Sequence, residues 1–183
     1  MGITGPGSNS FARAALADAL TQDGGHCRVV ISRNELGRLF EGDFEAELVE
    51  ALSPHLQVFE LLEDVIQHIE DEWRLEALMG EAEKANPDVR PHGASSNGTR
   101  TTLWIAAPGP DHDVVQPLIE DGSRHGLVGL MLGTWPHGPT YTTNTDGETV
   151  GLYGTEFIVH ALTVPAALAT LRAHAEETQK GRT

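Results

Sequence analysis

The chain holds a single cysteine, Cys27, and no C-x-x-C pair. An internal disulfide, a thiolate zinc site and dithiol redox chemistry are thereby excluded, and a reducing compartment is expected. Basic residues are also scarce: 12 Lys and Arg stand against 27 Asp and Glu, a formal net charge of −15. Such a surface repels phosphate backbones and anionic bilayers, which argues against nucleic-acid binding. No apolar run approaches the roughly 20 residues needed to cross a bilayer, and the opening residues lack a basic n-region and an apolar h-region. A soluble, cytoplasmic segment without direct membrane insertion is expected. There is no G-x-S-x-G elbow and no H-E-x-x-H helix, so neither a hydrolase nucleophile nor a zincin site announces itself. No catalytic residue, metal ligand or cofactor is assigned from sequence.

What is present is enough to fold. Hydrophobic residues make up 39% of 183 positions, with 20 Gly and 10 Pro marking sharp turns. A chain of this length buries about two thirds of its unfolded surface. One domain over residues 1–176 with a polar tail at 177–183 is the simplest division. Apolar residues Phe11, Ala12, Ala15, Leu16, Ala19 and Leu20 recur at helical spacing behind Ser8 or Asn9 as cap, with Gly24 and Gly25 as the stop. "RVVIS" (28–32), "LQVFE" (56–60), "TTLWIAA" (101–107) and "GLVGLML" (126–132) read as strands, the last two buried on both faces. Between them lie a short helix from Arg33 to Phe40, an ambiguous stretch at 41–55, and a long helix striped by Leu62, Val65, Ile66, Ile69, Trp73 and Ala77. Met79 and Met131 are expected in the core, and His68 on the solvated side. The acidic residues between Glu35 and Glu83 read as solvated helix faces.

Residues 86–100 are dense in Pro, Gly, Ser and Asn and read as a long exposed loop. Asp111 or Asp113 is suited to cap a helix whose inner face is Val114, Val115, Leu118 and Ile119. Asp146-Gly147 between Thr-rich arms signals a hairpin. "EFIVHAL" returns as a last strand before a helix from Val164 to His174. Strand and helix alternating through most of the chain predict a three-layer α/β sandwich, with a mostly parallel central sheet and an antiparallel edge hairpin.

In such sheets ligands gather beyond the carboxyl ends of the strands. Three Gly- and Pro-rich connections are expected there: "GPGS" (5–8), "PGPDHD" (108–113) and "GTWPHGP" (133–139). Gly5, Gly7, Ser8 and Asn9 are candidates for presenting helix N-terminal amides to an anion, which requires glycine and no lysine in principle. A working phosphate loop, however, continues G-K-[ST], and Ser8 and Asn9 stand in those places. Either Gly2 to Thr4 is the strand that should precede the loop, or the boundary has been cut. The competing reading is a plain turn and cap. Asp111 and His112 of the second loop and Trp135 and His137 of the third are the remaining candidates: the indole to stack on a planar ligand, the imidazoles as bases or donors. Asp111, His112 and Asp113 could also bind a metal, but three adjacent residues point in different directions, and capping by the two aspartates is the favoured reading; for Trp135 a lid on the core and for His137 a turn residue are favoured likewise.

Read in order, "GITGPGSNSFARAALADAL", "RVVISRNELGRLF", "LQVFELLEDVIQHIEDE", "LWIAAPGPD", "GLVGLMLGTWPHG" and "FIVHALTVPAALATL" resemble a cytoplasmic module of large actinobacterial membrane-anchored proteins. Those parents carry a LysM domain and a bacterial transcriptional-activator (BTAD-like) helical-repeat region. "TGPG" before an Ala/Arg-rich helix and the "WPHG" turn are the most specific segments, and the match spans Gly2 to about Glu176. The module is similar to FtsK/RecA-type phosphate-loop NTPases in degenerate form. The resemblance implies a doubly wound α/β core, no established catalytic residues, and a regulatory or scaffolding role through a protein partner or other domains of the parent chain. The departures agree with that inertness: the loop has no lysine, and "TTLWIAA" runs into Pro108 where an acid would organise magnesium. The alternative is an enzyme or small-molecule sensor binding an anionic or nucleotide ligand at the carboxyl edge, with Asp111, His112 and His137 as its polar groups. Nothing in the sequence fixes the oligomeric state.

Overall fold

A run of β-branched and apolar residues bounded by turns favours a strand, and the sheet is built from such runs. The computed structural model describes residues 1–21, 26–85, 101–151 and 154–180. Its strands are β1 (Gly2–Thr4), β2 (Cys27–Ser32), β3 (Leu56–Phe59), β4 (Thr101–Ala106), β5 (Leu127–Leu132), β6 (Thr140–Thr143), β7 (Glu148–Val150) and β8 (Glu156–Ile158). They form one sheet in the order β3-β2-β4-β5-β1-β6-β7-β8. The pairings from β3 through β6 are parallel, and β6-β7 and β7-β8 are antiparallel. Gly2 to Thr4 is thus a true strand, held between β5 and β6, and the Asp146-Gly147 hairpin extends that side of the sheet as expected.

Helices α1 (Ser8–Thr21), α2 (Arg33–Leu39), α3 (Ala46–Leu52), α4 (Leu62–Ala85), α5 (His112–Gly122) and α6 (Val164–Lys180) complete the layers. Side chains alternate across each strand, and the two faces carry separate cores. Val29, Ile31, Ile105 and Leu130 pack with Leu16, Leu36, Leu52 and Leu168 from α1, α2, α3 and α6. On the opposite face Val30, Trp104, Ala106 and Met131 meet Val65 and Ile69 of α4 and Val115 and Leu118 of α5. This is a three-layer α/β sandwich. No described helix is long and apolar enough to cross a membrane.

Polar groups tie the layers. Ser32 caps α2, its hydroxyl accepting from the Glu35 amide at 3.3 Å while donating to the Glu35 carboxylate. Burial pushes the Glu35 carboxyl above its ordinary range, against the lowering influence of Arg38 and of its own backbone hydrogen bond. Arg13 of α1 is 7% exposed and spans three acceptors: the Leu39 carbonyl at 2.7 Å, the Leu162 carbonyl at 2.8 Å and the Ser10 hydroxyl at 2.8 Å. Burial lowers its pKa, partly offset by Glu41. Arg28 at the start of β2 forms a bidentate pair with Glu72 of α4 and also donates to Thr102 of β4 at 2.8 Å.

Several expectations need correction. The ambiguous stretch contains α3, ending at Leu52. The α4 stripe holds the sheet only through its first half: Val65 and Ile69 are buried, Trp73 is half-buried, and Ala77 is exposed. Beyond it Met79 is exposed, not core, because the helix outruns the sheet it packs on. His68 is half-buried, its Nε2 3.0 Å from the Gln57 side-chain oxygen and its ring against Phe59. Glu35 is buried, not solvated, and Val114 and Val128 are exposed. Helix α6 continues through residue 176 to Lys180, so the expected tail is mostly helical. The glycine stop at Gly24 and Gly25, the loop at 86–100 and residues 181–183 lie outside the described residues.

Candidate functional site

The first of the three expected loops turns α1 into the face of the sheet that holds α6. Gly5 has φ of +91°, a conformation side chains rarely tolerate, and a Cβ there would sit 2.4 Å from the Thr143 carbonyl oxygen. A Cβ on Gly7 would lie 1.8 Å from the Asn144 carbonyl oxygen. The Gly7 amide donates to the Thr143 carbonyl at 2.9 Å, and the Ser8 amide to the Gly5 carbonyl at 3.2 Å. The glycines therefore admit the chain's own β6–β7 turn. An amide already spent on a carbonyl is not offered to a phosphate, and Thr143 is fully buried. Ser8 and Asn9 form the first turn of α1.

The second and third loops converge. After β4 the chain makes a short 3-10 turn over Gly109–Asp111 and enters α5 at His112. Asp111 occupies the N-cap position of α5 but makes no side-chain capping hydrogen bond. After β5 the third loop doubles back over the start of β1: the Gly133 amide donates to the Ile3 carbonyl and the Gly2 amide to the Pro139 carbonyl, both at 2.8 Å. This return carries Trp135 onto the α4/α5 core, where it is 3% exposed, with its amide donating to the Thr140 hydroxyl at 2.9 Å. The indole covers the core, and its edge contacts His137 at 5.2 Å between ring centres. With Trp135 anchored, His137 is held over the amino end of α5.

There His112 Nδ1 lies 2.9 Å from His137 Nε2. Asp113, for which the sequence favours capping over metal ligation, places Oδ1 3.0 Å from His112 Nδ1 and 3.1 Å from His137 Nε2. Among the described residues this is the group of three whose ligand atoms could reach one ion. The histidine side chains are 30% and 20% exposed and that of Asp113 is 76% exposed, so the cluster opens to solvent. Of the candidates Asp111, His112 and His137, the structure brings the two histidines together, and the carboxylate recorded beside them is that of Asp113. The 3-10 turn consumes Asp111 before the helix begins, and the next carboxylate is the one that faces the rings. The signal was available: His112 and Asp113 sit at the first helical positions after a Pro-Gly-Pro turn, and His137 follows the second carboxyl-edge strand.

A separate open cleft of about 530 Å³ lies against α6, lined by Phe44, Val164, Pro165 and Leu168 with Asp43, Glu45 and Arg172 at its polar side. It belongs to the opposite face of the sheet from the histidine cluster. Comparison with protein-family models, curated proteins and solved structures gives no match to this chain.

Proposed function

We propose that this chain is a non-catalytic, NTPase-like regulatory or scaffolding domain that acts through protein contacts within a larger multidomain protein. The observation that carries the reading is the closed first loop. The Gly7 amide is spent on Thr143, and the Asn144 carbonyl stands against Gly7. Two features already visible in the sequence agree: Ser8 and Asn9 in place of the cation and hydroxyl of a phosphate loop, and Ala107-Pro108 in place of an acid after β4. Support for partner contacts comes from apolar side chains left outside both cores. Leu75, Leu78 and Met79 are 57%, 58% and 62% exposed and share one face of α4 at i, i+3, i+4 spacing. At the far edge of the sheet Phe157 and Ile158 of β8 are exposed beside Val150.

A phosphate-release assay and calorimetric titration with Mg·ATP test the reading together. Neither turnover above buffer nor saturable heat is expected; micromolar binding or steady phosphate release refutes it. The second reading, a small-molecule sensor or enzyme at the carboxyl edge, draws on the meeting of His112 with His137 and would need a ligand whose binding those two residues control.

A further inference from the structure

We propose that His112, Asp113 and His137 form a binding site for one divalent first-row transition-metal ion of the zinc class. A ring nitrogen has one in-plane site, holding either a proton or a lone pair. Here three atoms, His112 Nδ1, His137 Nε2 and Asp113 Oδ1, lie 2.9, 3.0 and 3.1 Å apart along all three edges of a triangle. If one ring donates to the other, the donor has nothing left for Asp113. If both rings donate to Asp113, two N–H groups crowd each other across the 2.9 Å edge. No placement of protons satisfies three edges, whereas one cation above the triangle satisfies all three atoms at once.

The size fits. Bonds of about 2.1 Å to nitrogen and oxygen give ligand–ligand edges of about 3.0 Å when the ligands share one face of an octahedron, and about 3.4 Å in a tetrahedron. The observed edges match the facial arrangement. Two imidazoles and one carboxylate are the donors that zinc, iron(II), cobalt(II) and nickel(II) share, and three protein ligands leave positions for water. The solvent-facing side of the cluster, where Asp113 is 76% exposed, supplies that water and the route in. The positive end of the α5 dipole opposes a cation; the Asp113 carboxylate and the protein's −15 formal charge oppose that repulsion. Trp135, buried and edge-on to His137, fixes one ligand, and the start of α5 fixes the other two. The bound ion would cross-link the β4–α5 turn to the loop between β5 and β6. This inference is independent of the nucleotide question.

The test is titration of the full chain with Zn²⁺ in competition with a chromophoric chelator, and with Co²⁺ followed by its visible bands. One ion per chain is expected. His112→Ala, His137→Gln and Asp113→Asn should each weaken binding about tenfold or more, whereas His68→Ala and His125→Ala should not. Circular dichroism of the metal-free variants checks folding, and Asp113→Asn, at an exposed side chain, keeps the test usable if a histidine variant unfolds. Imidazole ¹⁵N shifts on adding Zn²⁺ should move at His112 Nδ1 and His137 Nε2. No saturable binding up to millimolar free ion overturns the proposal, as does binding that survives loss of both histidines.

Discussion

Replacing Gly7 by alanine distinguishes the two reasons a glycine can stand before α1. In a phosphate loop the glycine lets a ligand approach, so an added methyl abolishes binding and leaves the free protein's stability nearly untouched. Here the methyl would start 1.8 Å from the Asn144 carbonyl oxygen. That carbonyl cannot step aside. The Asn144 amide donates to Glu148 at 2.9 Å, its side-chain oxygen accepts from the Asp146 and Glu148 amides at 2.9 Å each, and Thr143 and Thr149 share a buried hydroxyl contact at 2.9 Å. Relief must come from shifting the hairpin or the start of α1, which also breaks the bond from the Gly7 amide to Thr143. Overpacking costs about 1–3 kcal/mol, and a rigid backbone partner places Gly7→Ala at the upper end, about 3 kcal/mol. For a domain of this size that lowers the melting temperature by about 6–12 °C. Thermal and urea unfolding followed by circular dichroism measure it. A melting temperature within about 1 °C of the parent's would refute the claim that the chain itself fills this turn.

Gly37 in α2 and Gly80 in α4 have open space where a Cβ would go, so Gly37→Ala and Gly80→Ala should each stabilise by about 0.5–1 kcal/mol in urea melts, and a loss of stability at either would contradict the packing described. Arg13→Ala strips donors from the Leu39 and Leu162 carbonyls and should cost about 2–4 kcal/mol; Arg13→Lys should recover little, because one ammonium cannot span three acceptors. For Glu35, whose folded pKa is raised by burial, the folded state holds the proton more tightly than the unfolded one. Its contribution to stability is therefore full below about pH 4.3 and declines as pH rises from there through the folded pKa. Glu35→Gln should be more stable relative to the parent at pH 7 than at pH 4, and a difference that does not change with pH would show that Glu35 has no such shift.

The layers were legible because strand and helix periods differ. "RVVIS", "TTLWIAA" and "GLVGLML" became β2, β4 and β5 within a residue or two, and the Asp-Gly turn located the antiparallel edge. What was illegible depended on partners distant in the chain. Gly5 and Gly7 resemble a phosphate loop when read locally, and their physical reason is Thr143 and Asn144, more than 130 residues away. Met79 reads as a core filler by residue type, but it lies past the end of the α4 stripe on the exposed face it shares with Leu75 and Leu78. The role of Asp113 turned on whether a 3-10 turn would absorb Asp111 first, a boundary shift of two residues that local propensity does not resolve. Nothing in the sequence around Arg13 marks it as buried. Its partners are the Leu39 carbonyl at the end of α2 and the Leu162 carbonyl just before α6, both distant in the chain.

The central claim is most directly tested by following the Gly7 amide in an amide-resolved NMR spectrum with and without Mg·ATP. The hydrogen bond to Thr143 predicts slow solvent exchange and a resonance that stays in place through millimolar nucleotide. Fast exchange in the free protein, or a saturable shift across Gly5 to Asn9 on adding the nucleotide, would mean that this turn is open and receives a phosphate.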